Sequence, residues 1–504
     1  MNKMTNVFWV SSGLILMLVL FGTIVPETFE NVTLQLQDII TDYFSWYYLI
    51  VVSAIVLFVA FFIFNSVGTI RLGKPDDRPE FSLATWFAML FSAGMGIGLV
   101  FWGAAEPLAH YINPPITDGE TPEAYKEALT YTFFHWGIHA WAIYAVVAFS
   151  LAYFQFRKGF PGLISATLRP LFGKKMDGPL GNMIDILAVI ATVIGVATTL
   201  GFGAKQINGG LSYLFDIQIS FTVQLIIVLI VTVLFIISAW SGLGKGIRYL
   251  SNTNLVLAVL IFGLVFILGP TVLILNLFSD SLGKYITDIA LMSFRSEPLN
   301  ADGQTWINNW TTFYWAWWIA WSPFVGIFIA RISKGRTIRE FLIGVTLVPS
   351  FIGFLWFSVF GTSAIEVQKA GVIDLSGLQT EEVLFAVFSQ FPWGTVLSYI
   401  ALVLILSFFI TSADSATFVL GMQTTNGSLT PPNRIKISWG IAQSAVALIL
   451  LYSGGLDALE NILIIAALPF SIIIILMMTS LFRSLMEEKR ALQLDQKPNN
   501  KEIE

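Results

Sequence analysis

The segment Tyr314-Trp315-Ala316-Trp317-Trp318-Ile319-Ala320-Trp321-Ser322-Pro323-Phe324 puts four tryptophans within seven residues of an apolar run. At about 100° per residue of helix, Tyr314, Trp317, Trp318 and Trp321 fall at roughly 0°, 300°, 40° and 340°, so they share a face and Trp315 points elsewhere. An interfacial aromatic belt accounts for a single tryptophan near the end of a span, such as Trp306 or Trp310. It does not account for Trp317 to Trp321, which lie roughly 17 to 22 Å into the run at 1.5 Å per residue. At that depth lipid offers an indole N–H no partner. Such a face suits a quaternary ammonium group, which has no N–H for a carboxylate to grip. Ring faces hold it instead by cation–π attraction, about 0.5–2 kcal/mol per desolvated ring.

Around this segment the chain reads as a polytopic membrane protein. Of its 504 residues 56% are hydrophobic and only 12% charged, and long uncharged runs recur from end to end. The absence of cysteine excludes a disulfide framework, a thiolate metal site and a thiol nucleophile. Met1 to Asn6 leads into a run, Val7 to Val25, that is long enough to span and has no clear small-residue cleavage site. Apolar runs of spanning length lie near residues 7–25, 46–68, 84–106, 129–156, 181–204, 219–241, 252–276, 306–331, 339–361, 394–422, 435–455 and 458–483, which makes twelve.

With the N-terminus inside, 22 of the 27 Lys and Arg fall in cytoplasmic loops or tails; Lys126, Lys205, Lys284, Arg295 and Lys369 fall outside. This asymmetry sets both termini in the cytoplasm. Segments 26–45 and 363–390 mix apolar and acidic residues at helical spacing and read as surface-lying outer helices. The tail 487–504 reads as a cytoplasmic helix that frays.

Two spans carry helix breakers near the middle. Span three contains Gly94-Met95-Gly96-Ile97-Gly98, and span eight contains Ser322-Pro323, where proline removes a helix hydrogen bond. If 84–276 and 306–483 are two five-span units, span three enters from inside and span eight from outside. That pattern predicts an inverted repeat with a broken first helix in each half, a pointer to a midplane site in a secondary transporter.

Four motifs then make the chain resemble the betaine/choline/carnitine transporter family over nearly its whole length. They are A-G-M-G-I-G-L at 93–99, H-W-x-x-H-x-W-A-I-Y at 135–144, the long block at 314–341 that opens with the tryptophan cluster, and T-S-A-D-S at 411–415. The resemblance implies an all-α membrane protein of twelve transmembrane helices, with a LeuT-like core of two inverted five-helix repeats. Two N-terminal helices (1–80) precede the repeats at 81–280 and 281–486, followed by the tail. It also implies a homotrimer, no nucleic-acid partner, no catalysis and no cofactor beyond a coupling ion. Within the family the chain looks most like the Na⁺-coupled glycine betaine carriers of osmotic stress defence in the cell membrane.

By the same resemblance Trp136, Trp141 and Tyr144 of span four, with Trp318, form an aromatic box around the trimethylammonium group, and Trp321 lies near it towards the cytoplasmic path. On an unbroken helix the three span-four rings sit at roughly 0°, 140° and 80°, a spread that curves around a ligand. His135 and His139, at i and i+4, show no third metal ligand, so packing and hydrogen bonding are the expected roles. Backbone N–H groups at Gly94, Met95, Gly96 and Gly98 are expected to hold a substrate carboxylate. That stretch holds no acidic residue to favour choline, so the reading prefers a zwitterion; glycine betaine, carnitine and proline betaine stay open.

A Na⁺ site wants hard oxygen ligands. By resemblance the carbonyls of Ser92, Met95 and Phe408 join the hydroxyls of Thr411 and Ser412. A second family site maps to Thr192 and Phe324, but its other threonine position reads Val196, so a second ion requires Thr198 or Thr199 instead. Proton coupling would need a relay, for which only Asp185, Asp414 and Glu106 qualify. The competing readings are a Na⁺-independent exchanger of carnitine or betaine, a choline carrier, and a membrane receptor.

Overall fold

The computed structural model describes residues 4–94, 96–241 and 244–495, and the side chains of all of these except 91–94, 241, 244–249 and 493–495. The structure is helical throughout. Helix α1 (Asn6–Ile24) starts where the Thr5 hydroxyl accepts the Phe8 N–H at 3.3 Å, and α2 (Pro26–Phe64) follows one residue later with proline in its first turn. α2 is 39 residues long, about 58 Å at 1.5 Å per residue, nearly twice the hydrocarbon thickness. Residues 26–45 are therefore not a separate surface helix but the continuation of span two. Nothing between Glu27 and Phe64 is glycine or proline, so the hydrogen-bond ladder has no reason to break.

Span three is broken as expected, into α3 (Leu83–Gly94) and α4 (Ile97–Ile112), with Gly96 at φ −140°, ψ −139°. Span four is also broken, which the sequence reading did not foresee. α5 (Pro122–Trp136) stops at Gly137 (φ −93°, ψ −137°) before α6 (Ile138–Ala152) begins. A Cβ at Gly137 would lie 2.4 Å from the Phe133 carbonyl oxygen and 2.7 Å from the Phe354 ring, so only glycine fits there. The angles given above for an unbroken span four consequently do not apply across Trp136 and Trp141.

The short α7 (Arg169–Phe172) leads to α8 (Pro179–Phe215), α9 (Phe221–Ser241) and α10 (Gly244–Leu268). Gly269-Pro270 ends α10 earlier than the run 252–276 suggested, and α11 (Thr271–Ser293) packs separately against α5 and α14 (Ile338–Ala370). Between them lie α12 (Ala301–Ile307), a wide turn at Asn308–Thr312 and α13 (Phe313–Ile332). The second expected break, at Ser322-Pro323, is absent: α13 runs straight through. Proline cannot donate to the carbonyl of Ile319, four residues back, but the Ser322 hydroxyl does so at 2.8 Å and replaces the missing bond.

The expected outer helix 363–390 is two things: the end of α14, closed by Gly371 at φ +64°, and α15 (Thr380–Ser389), opened by a Gln379–Glu382 capping box. The chain closes with α16 (Gly394–Gln423) and α17 (Asn433–Asp495), the latter bent at Gly455 (φ 62°, ψ −126°).

Among the described residues ten helical stretches are long and apolar enough to cross a membrane, and the chain is a multi-pass membrane protein. Burial sorts them. In 122–157 and 301–332, 94% of the apolar window is buried, against 28% in 6–24 and 221–240 and 22% in 250–268. The stretches that carry the aromatic motifs are thus enclosed by the others.

Candidate functional site

α13 packs along α6, and the aromatic face predicted for Tyr314 to Trp321 meets the rings flanking the Gly137 break. Trp318 is the centre of these contacts. Trp136 meets it edge-on at 4.9 Å between centroids, Tyr144 edge-on at 6.0 Å, and Trp317 stacks on it at 4.7 Å. Tyr144 also meets Trp321 at 6.2 Å and Trp141 at 5.5 Å. Trp136, Tyr144, Trp318 and Trp321 therefore form one contiguous cluster, which Trp141 joins through Tyr144. Trp315 does point elsewhere and stacks on His139 at 5.2 Å.

The glycines of span three approach this cluster. A Cβ on Gly98 would sit 2.6 Å from Trp317 Cη2 and 3.3 Å from Trp136 Cη2, so the close approach of both indoles requires glycine. Gly94 closes α3 and Gly96 opens α4; Met95 lies outside the described residues. Cavities flank the cluster along α13. One of about 620 Å³ touches Trp310 and Phe313 at its start, and one of about 560 Å³ touches Ile327 and Arg331 towards its end. The tryptophans lie between them.

The polar atoms of the cluster divide into two sets. Trp318 Nε1 donates to the His135 carbonyl at 2.9 Å and Trp136 Nε1 to Glu106 Oε2 at 2.6 Å. Trp317 Nε1, Trp321 Nε1 and the Tyr144 hydroxyl are buried with no hydrogen-bond partner among the described residues. A buried unpaired donor costs about 1–3 kcal/mol, so polar ligand atoms are favoured beside these three.

The sequence reading missed the surroundings of Glu106. His135 Nδ1 lies 2.8 Å and His110 Nε2 3.2 Å from Glu106 Oε1, and the Tyr314 hydroxyl donates to Oε2. His135 does have further potential ligands beside it, contrary to the expectation from spacing: ligand atoms of Glu106, His110 and His135 all lie within 4.8 Å of one another. His139 is not part of that group, since its Nε2 lies 2.8 Å from Ser293 Oγ. The i, i+4 spacing of Glu106 and His110 is the one local sign of this group; His135 and Tyr314 lie 29 and 208 residues from Glu106, beyond the reach of local spacing.

The candidate ion ligands gather partly. Ser412 Oγ lies 3.6 Å from the Cβ position of Gly96, so the span-three break and span ten do meet. The Thr411 hydroxyl donates to the carbonyl of Ser407 (3.0 Å) or Phe408 (3.2 Å) and accepts from Asn254 Nδ2 at 3.1 Å. One oxygen lone pair stays available, and the donor set is the hard oxygen type that Na⁺ takes. Asn254, which also accepts from Ser407 Oγ, was not among the expected residues. Ser92 lies in α3 with its side chain outside those described. At the second set, Thr192 donates to Ala188 O at 2.8 Å and accepts from Gln423 Nε2 at 3.4 Å, while the Phe324 ring packs on Trp321. Thr198 turns to Leu459 O at 3.1 Å and Thr199 back to Gly195 O at 3.1 Å.

Residues 6–490 match the model of the betaine/carnitine/choline family transporters. The chain belongs to this family. It is a transporter of that family and not an enzyme. Among its relatives, the glycine betaine transporter OpuD of Bacillus subtilis is 60% identical over 99% of this chain and 97% of its own length. The ectoine/hydroxyectoine transporter of Virgibacillus pantothenticus is 43% identical over 98% and 99%. A probable glycine betaine transporter of Desulfitobacterium hafniense is 41% identical over 96% and 98%.

Proposed function

We propose that this family member imports glycine betaine together with Na⁺ by alternating access, for osmoprotection. The observation that carries the reading is the convergence of Trp136 and Tyr144 on Trp318, whose own N–H is already taken by a backbone carbonyl. Trp318 is thereby left to offer ring faces, which a trimethylammonium group needs. The 60% identity to a glycine betaine transporter over nearly the whole chain supports the same substrate. The Tyr144, Trp317 and Trp321 donors, which have no partner among the described residues, and the N-terminus of α4 at Gly96 suit the substrate carboxylate. Trp141 shapes the cage from the far side of Tyr144.

In this reading the chain has twelve spans: the ten stretches above, the broken pair α3–α4, and a second span gained where Gly455 divides α17. Residues 1–80 form two N-terminal helices, 81–280 and 281–486 two inverted five-helix repeats, and 487–504 a cytoplasmic tail, in a homotrimer of the cell membrane. The cavities at the two ends of α13 become the outward and inward paths, separated by the tryptophans. Na⁺ is held by Thr411, Ser412 and the carbonyls of Ser92, Met95 and Phe408; Thr192 and Phe324 remain the candidates for a second ion. The exchanger alternative would require a fixed cation near the site. Lys205 does not serve, because its ammonium lies 2.8 Å from Glu381.

The test is uptake of radiolabelled glycine betaine into proteoliposomes under an inward Na⁺ gradient, against K⁺ and proton gradients, with ectoine as competitor. Wild-type accumulation should need Na⁺, and Trp318→Ala and Thr411→Ala/Ser412→Ala should each abolish it. Uptake that ignores Na⁺ but needs internal substrate would make the protein an exchanger.

A further inference from the structure

Glu106 is a fully buried carboxylate in the apolar heart of the molecule, a position too costly for an idle charge. A carboxylate accepts only, and each of its oxygens is used twice. Oε2 takes the Trp136 indole and the Tyr314 hydroxyl; Oε1 faces His135 Nδ1 and His110 Nε2. The donors come from α4 itself, α5 and α13, the elements that meet at the aromatic cluster. His135 extends the network, with Nε2 at 3.0 Å from Thr311 Oγ1 and its carbonyl accepting Trp318 Nε1 at 2.9 Å. Tyr314 stacks on Trp318 at 5.7 Å and on Trp317 at 6.0 Å.

We propose that Glu106 is the positioning residue of the substrate cage, fixing Trp136 and Tyr314 directly and Trp318 through His135, so that their ring faces are preorganised for a quaternary ammonium ion. This rests on the cage reading above. Trp136 is the last residue of α5 before the Gly137 break, and its ring packs against Tyr314, Trp317, Trp318 and Phe357. The bond to Oε2 fixes the orientation of that ring and ties the end of α5 to α4. Tyr314 receives the same anchor from the opposite side, so one carboxylate sets the angle between span-four and span-eight rings. Preorganisation of this kind lowers the cost of binding, and its loss appears in affinity.

Glu106→Gln keeps the shape but turns one acceptor into a donor, which must then face either the Trp136/Tyr314 pair or the two histidines. Purified wild type, E106Q, E106D, W136F, W318A and the double variant E106Q/W136F are compared for glycine betaine binding by tryptophan fluorescence, for the uptake KM, and for melting temperature. E106Q is expected to melt near wild type while its Kd and KM for betaine rise about ten- to a hundred-fold, with E106D between and the Na⁺ dependence of uptake unchanged. W136F, which keeps a ring but loses the N–H, should weaken binding in wild type and add little in E106Q. Should E106Q fail to fold, Tyr314→Phe removes one of the four donors, leaves the carboxylate in place, and should still raise Kd. Wild-type affinity in folded E106Q or Y314F, or additive losses in the double variant, overturns the proposal. If W318A itself binds betaine normally, the cage reading falls with it. If W318A fails to bind while E106Q binds as wild type, the cage stands and Glu106 is only a structural tie.

Discussion

Ser322 and Pro323 show how one side chain overrules a neighbour. Proline at 323 leaves the Ile319 carbonyl without its helical donor, and the adjacent hydroxyl fills that place at 2.8 Å inside the span. Ser322→Ala should therefore cost about 1–3 kcal/mol, the price of an unsatisfied buried carbonyl. A melt of the purified protein in detergent would read this as a lowered midpoint; an unchanged midpoint would mean that another donor takes over. The tryptophans were legible in the sequence because their spacing is local: Trp317, Trp318 and Trp321 share a face on any helix, and Trp315 cannot join them. The long-range contacts of Glu106 and Asn254 were not legible. Their partners His135, Tyr314 and Thr411 are 29 to 208 residues distant, and only folding brings them within 3.2 Å of one another.

At the scale of the helices, breaks were read from breakers alone, and that is where the reading erred. Gly96 does open span three, and Pro323 does not open span eight. Gly137 opens span four because the Phe133 carbonyl and the Phe354 ring leave no room for a Cβ, a crowding that a glycine in the sequence does not announce. The end of α17, beyond the apolar run that closes at Arg483, offers a second test. Glu488 accepts from Tyr153 at 2.7 Å and Arg157 at 2.6 Å and pairs with Lys158 at 2.8 Å, which clasps the tail to the end of span four. Burial alone would raise the Glu488 carboxyl, but these three donors outweigh it and hold it below its ordinary value. With the folded pKa depressed, the clasp contributes fully above the unfolded value of about 4.3 and is lost as pH falls through the lower folded value. Amide exchange of residues 484–492, corrected for intrinsic rates, should stay level from neutral pH to about 5 and accelerate only below about 4. Glu488→Gln should exchange fast at every pH.

At the scale of the whole molecule, the proposed Na⁺ coupling raises the question of how many ions would drive the cycle. One coupled Na⁺ supplies about 2.3 kcal/mol per 100 mV, enough for roughly fifty-fold accumulation from the potential alone, and a second would square that ratio. Val196, at the position where the family resemblance would put a threonine, is buried and apolar, and Thr198 faces Leu459, so on the proposed reading a single ion is the expectation. Static-head accumulation in proteoliposomes at a clamped potential of 100 mV with equal Na⁺ on both sides checks it: a plateau near fifty-fold fits one ion, and one far above it requires two. The charge pattern bears on orientation at the same scale. Each of the five basic residues assigned outside has an acid beside it: Lys126 with Asp280, Lys205 with Glu381, Lys284 with Asp288, Arg295 with Glu297 and Lys369 with Glu366. The proposed orientation rests on the count of Lys and Arg on each face rather than on net charge, so these pairs leave it unchanged. By itself the sequence determined that the chain is a helical membrane protein with an aromatic face deep in one run, because hydropathy, charge asymmetry and helical spacing are local properties, and its motifs carried the resemblance to one transporter family. Only the tertiary structure decided which breaker breaks a helix, which indoles meet around Trp318 and what the buried carboxylate of Glu106 holds, because those depend on neighbours distant in sequence that share one crowded interior.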